Sequence, residues 1–142
     1  MDAYDDFLGR GNGMTRNQFE ALVMELYGVS ADYPFEDDFV TGVFRHIDNR
    51  KWFALAMNIP SGRLGIESNE HIDVVNLKCP PEIIESVTEE DVGVYPAYHM
   101  NKLHWISVSL GECDEETILW LLDISYSLTQ RTPRKRRKQN VD

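Results

Sequence analysis

The spacing of apolar residues along the chain changes period several times, and each change marks an element. Thr15 followed by Gln18 reads as a capping box that opens a helix, with Met14 and Phe19 placed to form a hydrophobic staple. Phe19, Leu22, Val23 and Leu26 then recur at helical spacing, and Gly28 supplies a left-handed stop. After a loop holding Tyr33, Pro34 and Phe35, the period becomes two over residues 40–47 and 51–59, with Asp48, Asn49 and Arg50 as the turn between two strands. Strict alternation in the second strand directs Phe53, Leu55, Met57 and Ile59 to one side and Trp52, Ala54, Ala56 and Asn58 to the other. A turn at Pro60, Ser61 and Gly62 leads to a short strand over 63–67, and a further strand covers 71–78.

Pro80 and Pro81 open a short helix that runs to about Val87, since proline suits a first helical turn. A strand follows over 103–110. Asp114, Glu115 and Glu116 then begin a last helix, acids placed where its dipole favours them. Ile118, Leu121, Leu122, Ser125 and Leu128 form its buried face. Helices at both ends with antiparallel strands between them predict an α+β, two-layer sandwich, the N- and C-terminal helices covering one sheet face. Trp52, Trp105 and Ser107 then look out from the other face, beside Leu103. Large aromatics left on an open sheet favour binding.

Composition bounds the rest. The chain has 142 residues, 42% of them hydrophobic and 11% aromatic, which suits one folded domain with a real core. No apolar run approaches the ~18 residues of a membrane helix, and the start is acidic, so a cytoplasmic location and no membrane partner are expected. Cys79 and Cys113 stand far apart with no CxxC pair and read as reduced thiols. Charge is lopsided. Residues 1–130 carry eight bases against 23 acids, a net of −15, while residues 131–142 carry six bases against one acid, a net of +5. The expected organisation is a glycine-rich, acidic lead-in at 1–13, a folded domain at 14–130 and a disordered basic tail at 131–142.

The segment GVYPAYHMNKLHWISV at 93–108 is poor core and poor linker material, and it points to a job at a surface. Together with GVSADYPFEDD early in the chain and VNLKCPPE in the middle, it resembles the MmcQ/YjbR family of small bacterial proteins over roughly residues 14–129. Its two sharpest pieces are YPF at 33–35 and YHMNKLHW at 98–105. The resemblance implies a frataxin-like (CyaY-like) sandwich and a role in DNA binding through a double-wing arrangement.

His99 and His104, with His71 or Cys79, lack the paired spacing of a zinc site, so no metal and no cofactor are expected. A frataxin-like fold would allow an acidic ridge of Glu20, Glu25, Asp32, Glu36, Asp37 and Asp38, though a solvated acidic face explains those residues better. No nucleophile elbow, phosphate loop or HExxH motif occurs, so no catalytic residue is assigned and the protein is read as a non-enzyme. For nucleic acid, Tyr95, Tyr98 and Trp105 offer stacking, and His99, Asn101, Lys102 and His104 offer polar contacts. The −15 body opposes this, and the tail bases Arg131, Arg134, Lys135, Arg136, Arg137 and Lys138 would have to supply weak, tail-assisted DNA affinity. The competing class is a module for a protein or small ligand, using Trp52, Trp105 and the Tyr33–Phe35 loop as an aromatic site.

Overall fold

The computed structural model describes residues 13–130. The tail from 131 and all but Gly13 of the lead-in lie outside the described residues. The first helix, α1 (Arg16–Tyr27), has the capping box in full: the Thr15 hydroxyl accepts from the Gln18 N–H, and the Gln18 side chain accepts from the Thr15 N–H. Gly28 ends it with φ 68°. The strands are β1 (Gly42–Arg45), β2 (Trp52–Pro60), β3 (His71–Lys78), β4 (Val94–Pro96) and β5 (Trp105–Ser109). Two more helices are α2 (Pro81–Glu90) and α3 (Glu115–Thr129). The strands form one five-stranded sheet in the order β1-β2-β3-β5-β4, and every neighbour pair is antiparallel.

α1 and α3 lie on one face. Phe19 and Val23 share a buried cluster with Ile118, Leu121 and Leu122 and with the sheet residues Phe44, Phe53, Val75, Ile106 and Val108. The α1 stripe is rotated from the expected one: Leu26 is half exposed, and Tyr27 turns inward instead. Tyr27 stacks on Tyr126 with centroids 3.8 Å apart. Leu128 of α3 is likewise exposed, and Thr129 takes the buried place.

Strict alternation fails in β2. Phe44 pairs with Ala54 but Arg45 pairs with Trp52, so Phe53 is an extra residue with no partner on β1, a β-bulge. Phe53 and Ala54 consequently both sit in the helix-side cluster. Beyond the bulge the phase is inverted. Leu55, Met57 and Ile59, expected under the helices, join Val43 and Val74 in a second buried cluster on the opposite face, where Trp52 packs beside them. On its other side β2 pairs with β3 only as far as Ala54 and Leu77, and α3 bridges the next pair of groups: the Ser125 hydroxyl donates to the Phe53 carbonyl at 2.6 Å and accepts from the Lys78 N–H at 2.8 Å.

Two further differences are local. Residues 63–67 are not a strand; Ser61–Leu64 form a short 3-10 turn closed by Gly65 at φ 84°. The aromatic segment, expected to be loop until 103, contributes the three-residue edge strand β4, paired to β5. Among the described residues no helix is long and apolar enough to cross a membrane.

Candidate functional site: an aromatic groove on the second sheet face

The second apolar cluster is only partly roofed, and the space above it is a groove of about 590 Å³. Its floor is Leu55, Met57 and Ile59, the residues brought there by the bulge. One wall is the loop after α1, which contributes Phe35, Asp38 and Thr41; the other is the aromatic segment, with Tyr98, His99 and Met100. Trp52 stands at the start of the floor, and Phe35 meets it edge-on, with centroids 6.0 Å apart and planes at 89°.

A buried polar clamp holds the second wall. Asn76 and Ser107 face each other across β3 and β5, both fully buried, and the Ser107 hydroxyl donates to Asn76 Oδ1 at 2.5 Å. Ser107 Oγ also accepts from the Tyr98 N–H at 2.9 Å, and Asn76 Nδ2 donates to the Tyr98 carbonyl at 2.9 Å. Both backbone groups of Tyr98 are thereby tied to the sheet. This explains why Ser107, expected to look outward, is buried. The next residue, His99, has φ 62°, a left-handed conformation uncommon for a side chain with a Cβ, and its ring lies 4.0 Å from that of Tyr98.

The electrostatics differ between the two ends. Asp38 Oδ1 accepts from the backbone N–H groups of Thr41 at 2.9 Å and Val40 at 3.0 Å. These contacts, Thr41 foremost, hold the Asp38 carboxyl below its ordinary value, so it is ionised at neutral pH. Glu36 and Asp37 flank it, and neither forms an ion pair among the described residues. At the other end the Arg63 guanidinium donates to the Tyr98 hydroxyl at 3.2 Å. Arg45 lies over the Trp52 ring, 5.8 Å from its centroid, while pairing with Asp32 at 3.1 Å.

Of the candidate residues, Phe35, Trp52, Tyr98 and His99 therefore meet at one groove. The others lie elsewhere. Asn101 builds a turn, its side chain accepting from the Leu103 N–H and its carbonyl from the His104 and Trp105 N–H groups. Lys102 is exposed and donates to the Ala97 carbonyl at 2.7 Å, and the His104 ring is exposed on the same turn. Trp105, half buried at the start of β5, is separated from β2 by β3 and does not line the groove. Tyr33 is exposed and packs over Gly42. The six tail bases lie outside the described residues. The residues missed in the sequence were Asp38, Thr41 and Met100 as groove walls, and Trp120. That tryptophan is half exposed and, with Leu26 and Leu119, lines a separate shallow depression between α1 and α3.

His71 and Cys79 sit at the start and just beyond the end of β3, roughly 25 Å apart at the usual strand rise. Among the described residues no group of three or more His, Cys, Asp or Glu side chains is placed to hold a metal. Both cysteines are free and buried. Burial pushes the Cys79 thiol up to about 11 and the Cys113 thiol up to about 12, so neither supplies a thiolate nucleophile at neutral pH.

Comparison with known proteins agrees with this architecture. The YjbR family model matches residues 24–128, and the chain belongs to that family. YyaQ of Bacillus subtilis is 40% identical over 118 residues, covering 82% of this chain and 99% of its own. YjbR of Escherichia coli K12 is 33% identical over 75 residues, 51% of this chain and 64% of its own. A crystal structure of a Pseudomonas syringae protein superposes with a TM-score of 0.79 at 42% identity, covering 82% of this chain and all of that one. A Deinococcus radiodurans protein gives a TM-score of 0.63 at 25% identity, covering 91% and 90%.

Proposed function

We propose that the groove is the working site of this protein and that it binds a basic, peptide-like partner without performing chemistry on it. The observation that carries this reading is the perpendicular pair Phe35 and Trp52 beside the ionised Asp38. Aromatic faces attract ammonium and guanidinium groups, by about 0.5–2 kcal/mol depending on desolvation. Trp52 already draws one guanidinium, that of Arg45. The apolar floor of Leu55, Met57 and Ile59 suits the aliphatic stems of such side chains. Calorimetric titration of six-residue peptides holding one or two Lys or Arg among apolar residues tests the reading, with Gln-substituted versions as controls. The basic peptides should bind at least tenfold more tightly than their controls, and Trp52→Ala should remove the difference. Equal affinities for both sets would refute it.

A second reading, DNA binding, is favoured by the six bases of residues 131–142 and is what the family resemblance implied. The described residues carry seven bases against 20 acids, so the folded surface repels phosphate and the tail would carry the affinity. Titrating duplex DNA against the full chain and a chain ending at Gln130 decides it. Binding by the full chain alone, weakening steeply with salt, supports the reading. Absence of binding by both forms refutes it.

A further inference from the structure

The chain leaves the described fold at the β1–β2 turn, on the sheet face opposite the groove but next to the strand that forms its floor. α3 ends at Thr129, and the β1–β2 turn grips that end: Asn49 Nδ2 donates to the Thr129 carbonyl at 3.0 Å, and His46 shares a 2.8 Å hydrogen bond with the Thr129 hydroxyl. Trp52, at the mouth of the groove, is only three residues along from Asn49. From Gln130 the sequence runs on as RTPRKRRKQNVD, with five consecutive bases at 134–138. Eight extended residues reach about 26 Å, enough to pass the edge strand β1 and enter the groove from the Trp52 side.

Across the groove mouth from Arg45, which lies over Trp52, the loop after α1 is acidic. Glu36, Asp37 and Asp38 lie within one loop, and no base among the described residues forms an ion pair with any of them. The same loop presents Phe39, 84% exposed, and Phe35, 39% exposed. Arg16 reaches the same loop through the Val40 carbonyl and favours the charged form of Asp38, yet it makes its ion pair with Glu20. Large apolar rings held in water beside carboxylates that make no ion pair describe a surface that fits a basic chain with aliphatic stems.

We propose that residues 134–138 of this same chain fold back and occupy the groove, their cationic groups over Trp52 and Phe35 and beside Asp37 and Asp38. This rests on the reading of the groove as a site for a basic peptide and adds that the chain carries such a peptide itself. A tethered segment acts at an effective concentration in the millimolar range, so even millimolar intrinsic affinity keeps the groove about half occupied. Occupation excludes an outside basic partner. Conversely, an acidic partner that captures the tail frees the groove, so the two surfaces of the molecule are mutually exclusive.

The test compares amide and indole NMR spectra of the full chain and a chain ending at Gln130, at low and high salt. The expected result is a set of shift differences at the Trp52 indole, Asp38, Met57 and Met100, independent of protein concentration and shrinking severalfold by 0.5 M salt. A full chain with Arg134, Lys135, Arg136, Arg137 and Lys138 all replaced by Gln should give the groove spectrum of the truncated chain, with no risk to the folded core. Asp38→Asn, which keeps the oxygen that accepts from Val40 and Thr41, should weaken the shifts. Identical groove resonances in full and truncated chains would overturn the proposal. So would differences confined to residues 46–50 and 126–130, or shifts that grow with protein concentration, which would mean docking in a second copy. If the six-residue basic peptides bind while the tail leaves the groove unmoved, only the self-docking fails; if neither binds, the groove reading fails with it.

Discussion

Replacing Ser125 with Ala should destabilise the fold far more than loss of one surface hydroxyl would suggest. Ser125 is completely buried, and its oxygen bridges the Phe53 carbonyl and the Lys78 N–H where the β2–β3 ladder ends, at the bulged residue. Alanine leaves both backbone groups without that partner. An unsatisfied buried group costs about 1–3 kcal/mol. Phe53 is wholly enclosed, which argues for ~2 kcal/mol at its carbonyl; Lys78 is partly exposed and water recovers part of the loss there, leaving ~1 kcal/mol. Burying a methyl group in place of a hydroxyl returns a fraction of this, so the net loss is ~2–3 kcal/mol. Urea unfolding followed by circular dichroism should show the midpoint falling by about 1–2 M with an unchanged slope. Ser127→Ala, on the exposed side of the same helix, is the control and should change stability by less than about 0.5 kcal/mol. If Ser125→Ala matches that control, the bulge satisfies its own backbone and the account of α3 as its support is wrong.

Other perturbations address the remaining parts. Ser107→Ala strips the Tyr98 N–H and Asn76 of a partner, so amide exchange at Tyr98 should accelerate at least tenfold while the α1 and α3 amides stay protected. Trp52→Ala should cost the groove more peptide affinity than Trp105→Ala, since only the former ring lines it, and equal losses in calorimetry would contradict the assignment. Gly93 has φ 88°, and a Cβ there would lie 2.7 Å from the Cys113 nitrogen, so Gly93→Ala should lower the melting temperature by on the order of 10 °C. Burial holds the His46 imidazole below its ordinary value, so the folded state binds fewer protons than the unfolded chain in the interval between the two values. Its contribution is therefore intact above pH ~6.5 and lost as pH falls below that toward the folded value. His46→Gln should flatten that part of a stability–pH curve.

Where structure follows from nearest neighbours, the sequence was readable. Thr15, Gln18 and Gly28 dictate the ends of α1 through hydrogen bonds made within four residues, and they appear as expected. The shared face of the terminal helices followed from element order alone. The phase of β2 did not, because period-two alternation cannot register an inserted residue; Phe53 shows itself only against the pairing of Phe44 and Arg45. β4 is three residues long and exists because β5 offers an edge to pair with. Phe35, Trp52, Tyr98 and His99 were recognisable as unusual, but their convergence depends on the bulge and on the Asn76–Ser107 clamp. Asn101 and Lys102 looked like contact residues and instead hold a turn together, a local hydrogen-bonding role that composition does not distinguish from recognition.

The two buried thiols turn this molecule into its own stopwatch. Cys79 donates its N–H to the His104 carbonyl at one end of the aromatic segment, and Cys113 is pressed against Gly93 at the other. Both residues are at most 1% exposed and sit in the helix-side core, so a maleimide or iodoacetamide can reach each only when the packing around it opens. Timed alkylation read by peptide mass spectrometry would thus report two separate opening rates from the unmodified chain, with no engineered label. A ligand that braces the groove wall should slow Cys79 and leave Cys113 comparatively free to react.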